Sequence, residues 1–205
     1  MKILRIDDDL EMVLADAVKV LKSGGIIAYP TETFYALGVD AMDEVALKKL
    51  YKLKGRSQKK PLPVIIGDRK RLKTLIKRLP PQAERLIKRF WPGPLTIVFE
   101  ASSDIPELLT AKTGKIAIRI PGEKIALRMV KKTGFPITST SANPSGEPPA
   151  TRPEKVMKYF GDRIVLLIDG GKTPGGKPST IVDVTGPMKI LREGAVSSRV
   201  ILDLD

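Results

Sequence analysis

The sequence predicts an α/β fold built on a mixed β-sheet. Three observations carry this. Apolar runs of strand length alternate with segments of helical periodicity through most of the chain. The end of the chain is strand-rich, which argues against a purely parallel sheet. No internal repeat or low-complexity linker divides the 205 residues, so residues 1–205 read as one domain.

The elements follow in order. After "MKILRI", Leu10, Val13, Leu14, Ala17, Val18 and Leu21 recur at helical spacing, with Asp8 or Asp9 as N-cap and Gly24 as the stop. "GIIAYP" reads as a buried strand, "DEVALKKLYKLK" (43–54) as a helix capped by Asp43, and "LPVIIGD" as a strand. Two basic helices follow, split by Pro80 and Pro81. "PLTIVFEA" is a strand after the "WPGP" turn. "KIAIRIP" alternates at period two and precedes a helix over 123–133. "FPITSTSA" is a strand, 152–160 a helix and "RIVLLIDGG" a strand; "STIVDVT" and "MKILRE" close as a hairpin across Gly-Pro. The segments 144–153 and 170–178 are long, polar, Gly/Pro-rich loops of the kind that carry function.

Composition narrows the chemistry. The chain has no cysteine and no histidine, which removes disulfides, thiolate nucleophiles, the Ser-His-Asp machinery and nearly all zinc sites. Any reaction has to run on Lys, Arg, carboxylates, hydroxyls, backbone and a bound ligand. No apolar run approaches a membrane span, and acids follow directly on the N-terminal "MKILRI", unlike a secretory leader. A cytoplasmic protein with no membrane partner is expected. The net charge is +13, concentrated in 48–60 (seven basic residues, no acid) and 69–90 (nine basic, one acid). Such fields attract phosphates of nucleotides or of RNA.

Two familiar motifs fail on inspection. "GGKT" (170–173) has Leu166 where a phosphate loop needs its first glycine, and Pro174 spoils the helix start. Ser57-x-x-Lys60, Ser141-x-Asn143 and two Lys-Thr-Gly triplets imitate β-lactamase elements, but the triplets precede the Ser-x-Asn and Pro61 follows Lys60 directly. What remains is a set of polar residues at strand and helix ends: Thr31, Glu32, Thr33 and Tyr35; Lys54 and Arg56; Ser139, Ser141 and Asn143; Ser179 and Thr180; and Arg192. Ligands of open α/β sheets bind at such ends. Arg119 interrupts an otherwise apolar strand, and a buried guanidinium calls for an anion. Asn143 is the only asparagine in the chain.

Together these pieces resemble the YrdC family, the threonylcarbamoyl-AMP synthases of tRNA modification, in its short, single-domain form. "GGIIAYPTETFYALGVDA", "KGR", "WPGPLTIVF", "IAIRIP", "SAN", "STIVDV" and "LREG" stand in the family's order between about residues 10 and 196. The resemblance implies a twisted open sheet flanked by helices, with a large, positively charged cavity. It implies conversion of L-threonine, bicarbonate and ATP to threonylcarbamoyl-AMP and pyrophosphate, with Mg2+ on the ATP phosphates. A separate tRNA threonylcarbamoyl transferase complex would take the product.

By match to the family pattern, Lys54 and Arg56 hold the ATP phosphates and the carbamate and are the catalytic pair. Ser141, Asn143, Arg192 and Lys115 complete the ATP side; Thr31, Arg119, Ser139 and Ser179 hold threonine, with Arg119 on its carboxylate. No protein metal site is implied. Carbamate attack on the α-phosphorus needs no base, only positioning and cations, which a histidine-free site supplies. Lys54 and Arg56 sit at a helix end, so alanine there is expected to abolish activity and leave the fold intact. The chain departs from the family at Ser57, where a proline is usual, and at Ile65, where some members carry histidine. Two other readings compete. One is a non-catalytic module for double-stranded RNA or tRNA, which leaves Arg119 unexplained. The other is a carbamoyl-phosphate-using relative within larger hydrogenase-maturation proteins.

Overall fold

The computed structural model describes residues 1–7 and 9–203. Its elements are β1 (Lys2–Arg5), α1 (Leu10–Lys22), β2 (Ile27–Tyr29), β3 (Ala36–Gly38), α2 (Glu44–Lys54), β4 (Val64–Ile65), α3 (Leu72–Leu75), α4 (Pro81–Phe90), β5 (Leu95–Glu100) and α5 (Glu107–Thr110). Then follow β6 (Lys115–Arg119), α6 (Lys124–Thr133), β7 (Ile137–Thr138), β8 (Thr140–Ser141), α7 (Pro153–Phe160), β9 (Leu166–Asp169), β10 (Thr180–Asp183), β11 (Lys189–Arg192) and α8 (Ser198–Leu202).

The strands form two mixed sheets. One has the order β1-β9-β2-β3-β8, the other β11-β10-β5-β6-β4-β7. One short stretch of chain passes directly from one sheet into the other. The apolar run around residue 139, expected as a single strand, divides between them. β7 pairs antiparallel with β4, Val64 opposite Thr138, while β8 pairs antiparallel with β3, Ala36 opposite Ser141. Ser139 lies at the crossing. Its backbone N–H donates to Pro63 O at 2.8 Å, and the Thr138 hydroxyl accepts from Val39 N at 3.0 Å in place of a ladder carbonyl. A hydroxyl beside the backbone satisfies the groups that a change of sheet would orphan.

Period-two alternation decides what faces where. In β2, Ile27 and Tyr29 join the core under α1 and α6, while Ala28 faces the larger core; in β9, Leu166 and Ile168 divide from Leu167 in the same way. The amphipathic stripe Val13, Leu14, Ala17 and Leu21 of α1 packs with Ile125, Ala126, Met129 and Val130 of α6 on that first face. The Val, Leu, Ile and Met side chains among them contribute roughly 1.5–3 kcal/mol each on burial.

Helix ends follow their caps. The Asp9 carboxylate accepts from Glu11 N and Met12 N; of the two caps anticipated, Asp8 lies outside the described residues. Asp43 caps α2, and Gly55 ends it in the left-handed conformation (φ 59°), which costs a glycine nothing.

Several expectations are corrected. The first of the two basic helices is a 3-10 turn at 69–71 followed by only four α-helical residues, because Ile76 turns extended to bridge Ala101. β4 starts only at Val64, since Pro61 and Pro63 just before it carry no N–H donors, and it is two residues long. β1, β3, α5 and α8 were not anticipated as elements. They span three to five residues, too few for periodicity to register.

Candidate active site

A cavity of about 1030 Å³ opens between the two sheets. The same alternation builds its wall. Lys115, Ala117 and Arg119 of β6 line it while Ile116 and Ile118 point into the core; Thr96 and Val98 of β5 and Ile181 and Asp183 of β10 do likewise. Segment 31–36 and residues 139–141 close it from the other sheet. The two long loops contribute Pro148, Pro149, Gly176 and Pro178 at the rim. The lining includes five cationic side chains, Arg56, Lys60, Lys115, Arg119 and Arg192, and one carboxylate, Asp183.

On the first-sheet side, Thr31 caps its own turn. Its hydroxyl donates to Phe34 O at 2.7 Å and accepts from Thr33 N at 3.2 Å. Arg119 is 7 % exposed; it pairs through Nη1 with Glu32 Oε1 and reaches Ser139 Oγ with Nη2 at 3.4 Å. Gly122 N also donates to Glu32 Oε1, at 3.2 Å.

Further along β6, on the same face as Arg119, Lys115 Nζ lies 2.8 Å from Asp183 Oδ2. Burial pushes the Asp183 carboxyl up, but hydrogen bonds from Lys115 and Thr185 outweigh it, and the group ends below its ordinary value. Arg192 donates to Ser179 O at 2.7 Å and to Ser179 Oγ at 3.2 Å, and Ser179 Oγ shares a hydrogen bond of 3.0 Å with Thr96 Oγ1. The "LREG" segment is held close by its glycine: a Cβ on Gly194 would lie 2.1 Å from Pro178 O. Thr180 Oγ1 accepts from Gly194 N and Val196 N, which fixes that turn against β10.

Arg56 lies on the wall, with Nε and Nη2 donating to Lys60 O (3.3 Å) and Pro61 O (3.0 Å). Partial burial lowers its pKa. Lys54 does not line the cavity. It is 3 % exposed, and its ammonium donates to Ser141 O at 2.5 Å and Asn143 O at 2.6 Å. Burial first, and Arg56 second, bring its pKa down to about 7. The expectation that Lys54 stands at a helix end outside the core is therefore corrected: the last turn of α2 points it inward, under the 141–148 loop. Asn143 is likewise behind the wall. Its Nδ2 donates to Pro144 O at 3.0 Å and Glu147 O at 2.6 Å, and its Oδ1 is buried with no hydrogen-bond partner. The structure thus brings Thr31, Arg56, Lys115, Arg119, Ser139, Ser141, Ser179 and Arg192 onto one cavity, with Lys54 and Asn143 supporting it from behind.

Sequence reasoning missed three wall features. Glu32 stands among the strand-end polar residues, but nothing in the sequence marks it as the partner of Arg119. The acidic residue opposite Lys115, Asp183, is a lone carboxylate in an apolar strand, the same kind of signal that marked Arg119. Tyr35 gave no sign that its hydroxyl would donate to Gly171 O at 2.7 Å and accept from Gly170 N at 3.1 Å, pinning the 170–178 loop to the cavity floor. No group of three or more potential acidic metal ligands occurs among the described residues, and no described helix is long and apolar enough to cross a membrane.

A chain with two mixed sheets flanked by helices, meeting over one large cavity rich in Arg and Lys, defines an α/β protein whose site lies between its sheets. The chain belongs to the Sua5/YciO/YrdC family, whose model, described as "Telomere recombination", matches residues 19–194. It is 40% identical over 181 residues to the threonylcarbamoyl-AMP synthase of Pyrococcus abyssi, a match covering 88% of this chain and 53% of that protein. It is 37% identical over 186 residues to the threonylcarbamoyl-AMP synthase of Coxiella burnetii, covering 90% of this chain and 99% of that protein. Among solved structures, P. abyssi Sua5 complexed with L-threonine superimposes with a TM-score of 0.93 at 37% identity, over 98% of this chain and 59% of that one. E. coli YciO does so with a TM-score of 0.86 at 27% identity, over 96% of this chain and 97% of that one. The chain spans about half the length of the first curated relatives it matches, 53% and 54%.

Proposed function

We propose that this protein is a threonylcarbamoyl-AMP synthase: L-threonine, bicarbonate and ATP are converted to threonylcarbamoyl-AMP, pyrophosphate and water. The observation that carries the proposal is a single cavity whose wall combines five cationic side chains with a set of hydroxyls. Arg119 reaches Ser139, and Thr31, Arg56, Ser141, Lys115, Ser179 and Arg192 lie on the same lining. The names of the relatives agree with it.

Arg119 takes the threonine carboxylate, and Thr31, Ser139 and Ser179 hold the rest of the amino acid. Arg56, Lys115 and Arg192 neutralise the phosphates, with Ser141 donating to the nucleotide. Lys54 and Asn143 act on the nucleotide side by holding Ser141 and the 141–148 loop in place. The carbamate oxygen attacks the α-phosphorus in line with departing pyrophosphate, and fixed cations stabilise the charge that builds there. Mg2+ on the ATP phosphates would supply further charge neutralisation, and Asp183, the carboxylate on the wall, would be the residue to meet it.

Residues 1–205 act as one domain in this reading, a cytoplasmic enzyme that passes its product to a tRNA-modifying transferase complex. Lys70, Lys73, Lys77, Lys88 and Arg89 are exposed, and direct tRNA or double-stranded RNA contact with this basic segment is testable as a steep salt dependence of binding.

The test is incubation with ATP, Mg2+, bicarbonate and L-threonine, following pyrophosphate and detecting the adenylate by mass spectrometry. Pyrophosphate release that needs both threonine and bicarbonate supports the proposal. ATP binding without turnover under any of these conditions contradicts it.

A further inference from the structure

Glu32 has no role in the account above, yet it is the group that Arg119 contacts most closely. Three elements meet at it. Thr31 Oγ1 holds the turn that carries Glu32; Arg119 ends β6; and Gly122 N donates to the same carboxylate oxygen as Arg119. The Gly122 segment is itself fixed by backbone. Gly93 N, in the "WPGP" turn, donates to Ile120 O at 2.9 Å, and a Cβ on Gly122 would stand 3.3 Å from Gly93 Cα. Glu32 Oε1 is thus a fixed point to which the guanidinium is tied.

Its other oxygen, Oε2, is buried and has no hydrogen-bond partner. A carboxylate kept only for stability would be poorly chosen here. Buried ion pairs are often replaceable by apolar residues without loss, and an unsatisfied buried oxygen adds cost. The arrangement makes sense if the pair serves orientation. A guanidinium is a planar fork with five donors. With Nη1 tied to Glu32 and Nη2 directed to Ser139, the plane of Arg119 is fixed at the cavity wall, and a guanidinium has donors beyond these two bonds to offer an anion there.

We infer that Glu32 is a positioning residue: it sets the plane of Arg119 so that the guanidinium meets the carboxylate of an α-amino acid ligand. This rests on the synthase reading for the identity of that ligand, but not for the geometry.

Two variants test it, Glu32→Gln and Glu32→Asp, beside Arg119→Lys and the double variant Glu32→Gln/Arg119→Lys. L-threonine, and 1-aminopropan-2-ol as the same molecule without its carboxylate, are titrated by calorimetry; ATP is titrated separately. Glu32→Gln should weaken threonine roughly tenfold or more, the loss expected when a charged hydrogen bond is removed. The affinity for the amino alcohol and for ATP should stay at wild-type values. Glu32→Asp should recover part of the loss, and the double variant should be no worse than Arg119→Lys alone. The ligand-free protein gives a second readout: the Nε–H NMR signal of Arg119 should be that of an ordered side chain in wild type and become averaged in Glu32→Gln. An unchanged signal together with unchanged threonine affinity overturns the inference. So does a parallel loss of threonine, amino alcohol and ATP binding, which is what a merely structural residue would produce. An NMR change as expected, in a protein that binds no threonine even in wild type, upholds the positioning role and refutes the synthase reading instead.

Discussion

Lys54 donates to the backbone carbonyl of Asn143 at 2.6 Å, so the lysine of the "KGR" segment and the chain's single asparagine are joined through main chain. Ser145 N returns a bond to Lys54 O at 2.8 Å. The end of α2 and the 141–148 loop therefore behave as one piece. Asn143 tightens the same loop from inside through Glu147 O.

Replacing Lys54 by methionine should disturb fold and function together. Two inward-facing carbonyls lose their donor, which costs about 1–3 kcal/mol, and Ser141 loses its anchor on the cavity wall. Thermal unfolding should show a clear fall in midpoint, with turnover lost. An unchanged midpoint would contradict the anchoring role.

Arg56→Ala should behave differently. The Arg56 guanidinium donates to the nearby carbonyls of Lys60 and Pro61 and is partly exposed on the wall. The variant should unfold at the wild-type temperature and lose ATP turnover. Comparing the two variants in the same pyrophosphate and melting assays separates the residue that supports the site from the one that faces it.

Lys54 also sets a pH dependence. Its folded pKa is about 7 against an ordinary value of 10.5. Between those values the unfolded chain binds more protons than the folded one, so this group makes stability rise with pH through that window. Below about pH 7 the full cost of the buried ammonium is present. Urea unfolding at pH 7 and pH 9.5 should show a rise in wild type that is smaller in Lys54→Met. Parallel behaviour of the two proteins would rule out the low value.

Gly194→Ala should damage the site from a distance. The added methyl would meet Pro178 O at 2.1 Å, too close for any rotamer to relieve, so the 176–179 loop must move. Arg192 would then lose its fixed contact with Ser179. A destabilisation of about 1–3 kcal/mol is expected, with a weaker apparent affinity for ATP. Denaturant titration and nucleotide binding check the two parts.

Much of this was legible in advance where local rules govern. Asp9 and Asp43 cap helices through bonds spanning two or three residues, and sequence displays such patterns directly. The alternation in "KIAIR" placed Lys115 and Arg119 on one face of a strand. The division of 137–141 between two sheets was not legible, because both halves have strand-like composition and the choice depends on which edge lies beside each.

The sequence by itself determined the α/β class, the positions of most long elements, a chemistry free of histidine and cysteine, and the family resemblance that named ten site residues. These depend on residue type and on neighbours close along the chain. Only the tertiary structure decided that Lys54 and Asn143 stand behind the cavity, that Glu32 answers Arg119, and that Asp183 answers Lys115. Those partners are separated by 68 to 89 residues in sequence. Charge pairing acts through space, and the sheets and their alternation choose which distant side chains share it.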